Sequence, residues 1–362
     1  MNNWLSLFDG MSCLQIAAKE LGISPDTYYA SEIDQHAIRQ TQLNFPETIQ
    51  LGSVTEWKTW QIDWSTISLI GAGSPCQGFS FAGKQLAFDD PRSVLFFVFI
   101  DILNHCRKSN PNVRFLLENV DMKREHMNVI NNYCGLFAVN INSNRVSAQN
   151  RNRWYWSNIR TKQVGLFGET HTDIPQPKDR GILLKDILEK EVPEKYYLSE
   201  RFNNWLEKHA AKRGVEVKKL DGSTKSSCLT TTEAKRNLSN DYIVEMIGHE
   251  ACLTPKRTEY GKSIRKAYEA GEIDEQRRNI QQLEPRTEGK TNTLTSVQKD
   301  NLVIEIKQRI RRLTPTECSR LQTIPEWYRW DCSDTQQYRM LGNGWTVEII
   351  KHILSFLKQQ IQ

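Results

Sequence analysis

Short apolar runs alternate with stretches of helical periodicity through the first third of the chain. Trp4-Leu5-Ser6-Leu7-Phe8 reads as a strand, and after Asp9-Gly10 the spacing predicts a helix from about Ser12 to Leu21. Tyr28-Tyr29-Ala30-Ser31 is a second strand, ended by Glu32 and followed by a helix from Gln35 to Asn44. Ile67 to Ala72 is a third strand, and Ser93 to His105 a helix with an apolar face. Val113-Arg114-Phe115-Leu116-Leu117 is a fourth strand, ending at Glu118-Asn119. Strands alternating with helices predict an α/β chain with a doubly wound, mostly parallel, Rossmann-like sheet.

The pattern changes in the middle of the chain. Pro175, Pro177, Pro193 and clusters of charged and hydroxyl residues replace the strand–helix rhythm. Ser227-Cys228-Leu229-Thr230-Thr231 has an echo in Asn292-Thr293-Leu294-Thr295-Ser296, each followed by a Lys-containing polar stretch and an apolar pair, Ile243-Val244 and Leu302-Val303. Helical periodicity returns over Thr314 to Leu321 and Gln337 to Leu357. The expected organisation is a main domain over 1–170, a smaller, irregular domain over 171–305, and a segment over 306–362 that packs back on the first.

Composition narrows the class. A 362-residue chain is long enough for one large and one small domain. The longest apolar stretch, Val94 to Leu103, is interrupted by Asp101 and too short for a bilayer. Met1-Asn2-Asn3-Trp4 lacks the basic and apolar parts of a secretory signal, so a reducing, cytoplasmic setting is expected. No two of the eight cysteines have CxxC spacing, which argues against structural zinc and a redox dithiol. A net charge of +5 leans only slightly toward a polyanionic partner.

Four constellations carry candidate chemistry. Phe8-Asp9-Gly10 after the first strand, with Glu32 after the second, resembles a nucleoside site in which a carboxylate takes ribose hydroxyls. There is no GxGxxG, and Asp9 would repel a pyrophosphate, so a phosphate-free, positively charged nucleoside such as S-adenosyl-L-methionine fits better. Gly71-Ala72-Gly73-Ser74-Pro75-Cys76-Gln77 brings a thiol to the carboxyl end of a buried strand, where ligands bind in such sheets. Glu118-Asn119-Val120 offers a buried carboxyl as a general acid. In Gln149-Asn150-Arg151-Asn152-Arg153, strand alternation would set Gln149, Arg151 and Arg153 on one face. Each has a plainer structural reading; the order and company of the four do not.

Together these motifs resemble the DNA cytosine-5 methyltransferases. Phe8-Asp9-Gly10 and Ser31-Glu32-Ile33-Asp34 look like the cofactor motifs, Pro75-Cys76-Gln77 the nucleophile motif, and Glu118-Asn119-Val120 and Gln149-x-Arg151-x-Arg153 the base-binding motifs. Arg312-Leu313-Thr314-Pro315-Thr316-Glu317-Cys318 and Gly342-Asn343-Gly344-Trp345-Thr346-Val347 look like the two closing motifs. Gly52-Ser53-Val54 departs from the pattern, since an aspartate often stands there, and the Trp345 form resembles animal de novo, phage and viral members.

The resemblance implies methyl transfer from S-adenosyl-L-methionine to C5 of a cytosine flipped out of duplex DNA (EC 2.1.1.37). Cys76 would add to C6, Glu118 would bond N3 and the exocyclic amine, Arg153 would hold O2, and Arg151 would support the pocket. Phe8, Asp9, Gly10, Glu32, Ile33, Ser53, Val54, Ser74, Asn343, Trp345 and Thr346 would bind the cofactor. Gln77, Ser80, Arg92, Gln149 and Thr293 would meet DNA, with Phe79 to Arg92 a loop that closes over it and 171–305 a target-recognition domain for a short sequence. It also implies a monomer without metal, acting on intracellular DNA of a cell, phage or virus, with a restriction endonuclease, if any, as a separate chain. Rival readings are a transfer-RNA cytosine-5 methyltransferase, a catalytically silent DNA-binding regulator and a nicotinamide oxidoreductase.

Overall fold

The computed structural model describes residues 2–74, 94–231, 233, 238, 240–247, 251–285, 302–304 and 307–361. Strand β1 (Asn3–Leu7) is buried at every position, as expected of a strand covered on both faces. Helix α1 (Cys13–Leu21), β2 (Tyr28–Ser31), α2 (Gln35–Asn44), β3 (Ile49–Gln50) and β4 (Ile67–Ala72) follow. Next come α3 (Val94–Ser109), β5 (Arg114–Val120), α4 (Arg124–Cys134), β6 (Val139–Asn142) and β7 (Asn152–Ser157).

The seven strands form one sheet in the order β3-β2-β1-β4-β5-β7-β6. Pairing is parallel from β3 to β5, and β7 runs antiparallel to both of its neighbours. Strand order reverses between β1 and β4, which opens a crevice beyond their carboxyl ends. Alternation along β1 divides the core: Trp4 faces the cluster holding α1 and the C-terminal helix, while Leu5 and Leu7 face Phe96, Phe99 and Leu103 of α3.

Beyond the sheet lie a hairpin, β8 (Thr161–Val164) with β9 (Glu169–Thr172), and α5 (Glu200–Arg213). The middle stretch continues with β10 (Lys219–Leu220), β11 (Tyr242–Ile247), β12 (Ala251–Arg257) and the short helices α6 (Glu259–Ser263), α7 (Arg265–Glu269) and α8 (Arg277–Ile280). Strands β13 (Gln281–Pro285), β14 (Leu302–Ile304) and β15 (Lys307–Arg312) complete two small sheets, β10-β11-β15 and β13-β12-β14. The apolar pairs of the internal echo fall in different sheets, Ile243-Val244 in β11 and Leu302-Val303 in β14.

The chain then returns to the main sheet through α9 (Pro315–Leu321), α10 (Asp334–Asn343) and α11 (Val347–Ile361). Thr314 and Glu317 form a capping box that starts α9 behind Pro315. Ile349, Ile350, Ile353 and Leu354 of α11 join Leu14, Ile16, Ala17 and Ala18 of α1 in one buried cluster.

Three expectations need correction. Glu118 and Asn119 lie within β5 rather than after it, because pairing with Tyr155 and Trp154 of β7 keeps them extended. The strand expected through Gln149 starts only at Asn152, since Gln149 instead bridges Ser226 and the Arg151 amide donates to the Asn142 side chain. The helical periodicity over Gln337 to Leu357 is broken at Gly344-Trp345-Thr346, where extended backbone at Gly344 turns Trp345 toward the sheet.

Candidate active site

The turn after β1 starts with Phe8 at φ 58°, a left-handed conformation that costs a bulky residue roughly 1–3 kcal/mol. Gly10 has the same φ, and its amide donates to Glu32 Oε2 at 2.8 Å. Glu32 Oε1 accepts from the Ile33 and Asp34 amides at 2.7 and 2.9 Å. Three backbone donors thus fix one carboxylate at the switch point. Asp9 is buried beside it and accepts from Tyr28 Oη at 2.8 Å and from the Ser12 hydroxyl. Burial pushes the Asp9 carboxyl up to about 6, against those hydrogen bonds.

At the other end of the crevice, β5 holds Glu118 and β7 holds Arg153. Glu118 Oε1 lies 2.9 Å from Arg153 Nε, and Trp345 Nε1 donates to Glu118 Oε2 at 3.1 Å. Burial opposes the Arg153 charge, but Glu118, Cys228 and Tyr155 together outweigh burial and raise the guanidinium above its ordinary value. Gly73 makes room for this arrangement: a Cβ there would stand 2.8 Å from Trp345 Nε1. Asn119 Nδ2 donates to Ser74 Oγ at 3.2 Å, tying β5 to the end of β4.

These ends share one cavity of about 530 Å³. Phe8, Asp9, Gly10, Glu32, Ile33, Ser53, Val54, Ser74, Glu118, Arg151, Arg153, Asn343 and Trp345 all line it. Its carboxylate end carries Asp9, Glu32 and Asp34, and its other end sets Arg151 and Arg153 around Glu118. Ile33 is 71% exposed at its edge, an apolar side chain with a free face for a ligand. Volume, acidic end and apolar wall suit a cationic nucleoside, and the guanidinium–carboxylate end suits a polar heterocycle. Cys13 also lines the cavity, but burial pushes its thiol up to about 12, which keeps it protonated.

Two predicted residues have other work. Gln149 is fully buried and donates to Leu321 O at 2.7 Å and Gln322 Oε1 at 3.0 Å, while its own carbonyl accepts from the Leu229 amide. It is an internal strut with no atom for DNA. Thr346 is buried between Ser143, at 2.8 Å, and Gln322, at 2.9 Å, and does not line the cavity. Arg151 faces the cavity but spends its guanidinium on Gly344 O at 2.8 Å, Gly342 O at 3.3 Å and Leu229 O at 3.2 Å. Cys76, Gln77, Ser80, Arg92 and Thr293 lie outside the described residues.

The chain matches the family described as C-5 cytosine-specific DNA methylase over residues 2–359. It belongs to that family. It is a DNA (cytosine-5-)-methyltransferase, EC 2.1.1.37, and the reaction uses S-adenosyl-L-methionine as methyl donor. Among relatives, it is 28% identical to the Type II methyltransferase M.HpaII of Haemophilus parainfluenzae, over 96% of this chain and 87% of that protein. It is also 28% identical to the Type II methyltransferase M.HgiCI of Herpetosiphon aurantiacus, over 98% and 97%. The fold resembles the S. pombe Dnmt2 methyltransferase with a TM-score of 0.59 at 18% identity, covering 99% of both chains.

Within this methyltransferase site, sequence reasoning missed Arg339 and Cys228. Arg339 lines the cavity one turn before Asn343 on α10 and pairs with Asp34 at 3.2 Å. Its four-residue spacing from Asn343 was the available signal. Cys228 Sγ lies 3.2 Å from Arg151 Nη1 and 3.6 Å from Arg153 Nη2, within the segment singled out only as an echo. Among the described residues no group of His, Cys, Asp or Glu is arranged to hold a metal ion, and no helix is long and apolar enough to cross a membrane.

Proposed function

We propose that the chain methylates a cytosine flipped out of a short duplex sequence, through a covalent bond between Cys76 and C6. The observation that carries this reading is Glu118, held between Arg153 and Trp345 at the end of a cavity whose opposite end is built of fixed carboxylates. β4 ends at Ala72, and Ser74, just beyond it, lines that cavity two residues before Cys76.

C5 of cytosine is a weak nucleophile. Addition of the Cys76 thiolate to C6 pushes the ring electrons toward C5, N3 and the carbonyl. Glu118 bonds N3 and the exocyclic amine and stabilises the enamine, while Arg153 holds O2 and Arg151 braces the α10 carbonyls behind them. Once the enamine carbon C5 has used its electron pair to bond the methyl group, a base removes the proton left on C5, and the electrons of that C–H bond restore the C5–C6 double bond as the Cys76 thiolate departs. Flipping costs a few kcal/mol of lost stacking and pairing. Phe8, Gly10, Glu32, Ile33, Ser53, Val54, Ser74, Asn343 and Trp345 would hold the cofactor, with Asp9 positioning the turn. When bound, S-adenosyl-L-methionine supplies an electrophilic methyl group on a sulfonium sulfur, whose positive charge suits the carboxylate end.

Residues 171–305 form the target-recognition domain in this reading, and 306–362 completes the catalytic domain. The enzyme acts as a monomer on intracellular DNA, and a cognate endonuclease would be a separate protein. A pool of duplexes carrying 5-fluorocytosine tests the covalent step, because fluorine at C5 cannot leave as a proton. A cofactor-dependent adduct that survives denaturation and is absent from Cys76→Ala is expected. Its absence from the wild-type protein, with methylation of ordinary DNA intact, would overturn the mechanism.

A further inference from the structure

Helix α5 lies far from the chemistry in sequence and has two unlike faces. Leu206 and Ala210 turn inward, where they pack with Val217 and Tyr242. The opposite face carries Arg201, Trp205, Lys208 and Lys212, at intervals of four, three and four residues that keep them in one stripe. All four are exposed, Trp205 by 41%. Glu207 lies off the stripe and pairs with Lys219.

Some helical cations elsewhere on the surface pair with nearby acids, as in Arg265–Glu269, Lys262–Glu259 and Lys351–Glu348. Arg201, Lys208 and Lys212 make no such ion pair among the described residues. The indole between them is also held still. Phe202 stacks at 5.3 Å and His209 at 4.2 Å, and the His209 ring meets the Trp205 carbonyl at 2.8 Å. A fixed aromatic plate among uncompensated cations, in a stripe roughly 16 Å long, is complementary to a nucleic-acid backbone. The chain leaves α5 for β10 and reaches Cys228 against Arg151 and Arg153, so the same lobe meets the catalytic cavity.

We propose that this face of α5 is a second DNA-backbone contact, separate from the pocket that takes the target base. Arg201, Lys208 and Lys212 meet phosphates and Trp205 lies against the sugar edge. The contact reads no sequence; it holds the enzyme on long duplexes. The proposal rests on duplex DNA as the substrate.

The test is binding of full-length protein to a long duplex across a series of salt concentrations. Loss of three phosphate contacts lowers the log–log salt slope by roughly 2–3. Arg201→Gln/Lys208→Gln/Lys212→Gln is expected to show that loss with an unchanged melting temperature, and the charge-keeping Arg201→Lys/Lys208→Arg/Lys212→Arg variant to retain the wild-type slope. A wild-type slope in the glutamine variant overturns the proposal, including the case where the face instead binds an acidic protein. Failure of the substrate reading is separately visible as absence of methylation by the wild-type protein on the same duplex.

Discussion

The cavity and the middle of the chain keep their charges in opposite ways. Around the cavity each charged group has fixed partners: three amides for Glu32, Arg153 and Trp345 for Glu118, backbone carbonyls for Arg151. On α5 the cations stand exposed and uncompensated. Fixed charge suits a reaction that is the same at every cytosine, because preorganised groups need no rearrangement as charge develops. Exposed charge suits a partner whose backbone is everywhere alike and whose sequence varies. One region holds its charges in place for chemistry; the other leaves them open for the backbone contact proposed above.

The largest test of that division is Cys76→Ala, which is expected to remove methyl transfer on every sequence while leaving duplex affinity within a few-fold, as gel-shift and tritium-transfer assays would show. Glu118→Gln keeps the shape and loses the acid. A fall in turnover of roughly 10²–10⁴-fold is expected, with cofactor affinity by calorimetry little changed.

Gly342→Ala probes the seam between the regions, since a Cβ there would stand 2.4 Å from the Thr230 carbonyl carbon. Backbone on both sides must shift, at a cost of about 1–3 kcal/mol in denaturant unfolding. Wild-type stability would show that the regions are not in firm contact there.

A last effect, confined to stability, depends on pH. Asp9 rises from an ordinary 3.8 to about 6 in the folded chain. Below pH 3.8 both folded and unfolded states hold the proton, so Asp9 has no net effect. Between 3.8 and 6 only the folded state keeps it, so stability falls as pH rises, by about 3 kcal/mol at most once pH exceeds 6. Asp9→Asn should therefore be more stable than wild type at pH 7 and converge with it near pH 4. A difference that does not change with pH would contradict the assignment.

Much of the sheet was legible because buried parallel strands are written as short apolar runs, as in Ile67–Ala72, and because α1 and α2 follow turn residues. The cofactor turn was legible for a similar reason: Phe8-Asp9-Gly10 and Glu32 each stand at a strand end, where the fold brings strand ends together. Gln149 and Thr346 were misread because their partners, Leu321 and Gln322 for one and Ser143 and Gln322 for the other, are tertiary neighbours that no local pattern reveals. The extension of β5 through Glu118 was hidden likewise, since it depends on an antiparallel strand that returns from Asn152.

The most direct measurement is conversion sequencing of duplex DNA of varied sequence after incubation with the protein and S-adenosyl-L-methionine, beside the Cys76→Ala variant. Protection of cytosines within one short motif, absent in the variant, is the predicted result. Equal protection by the variant would contradict Cys76 as the nucleophile, and protection of transfer RNA but not DNA would contradict duplex DNA as the substrate.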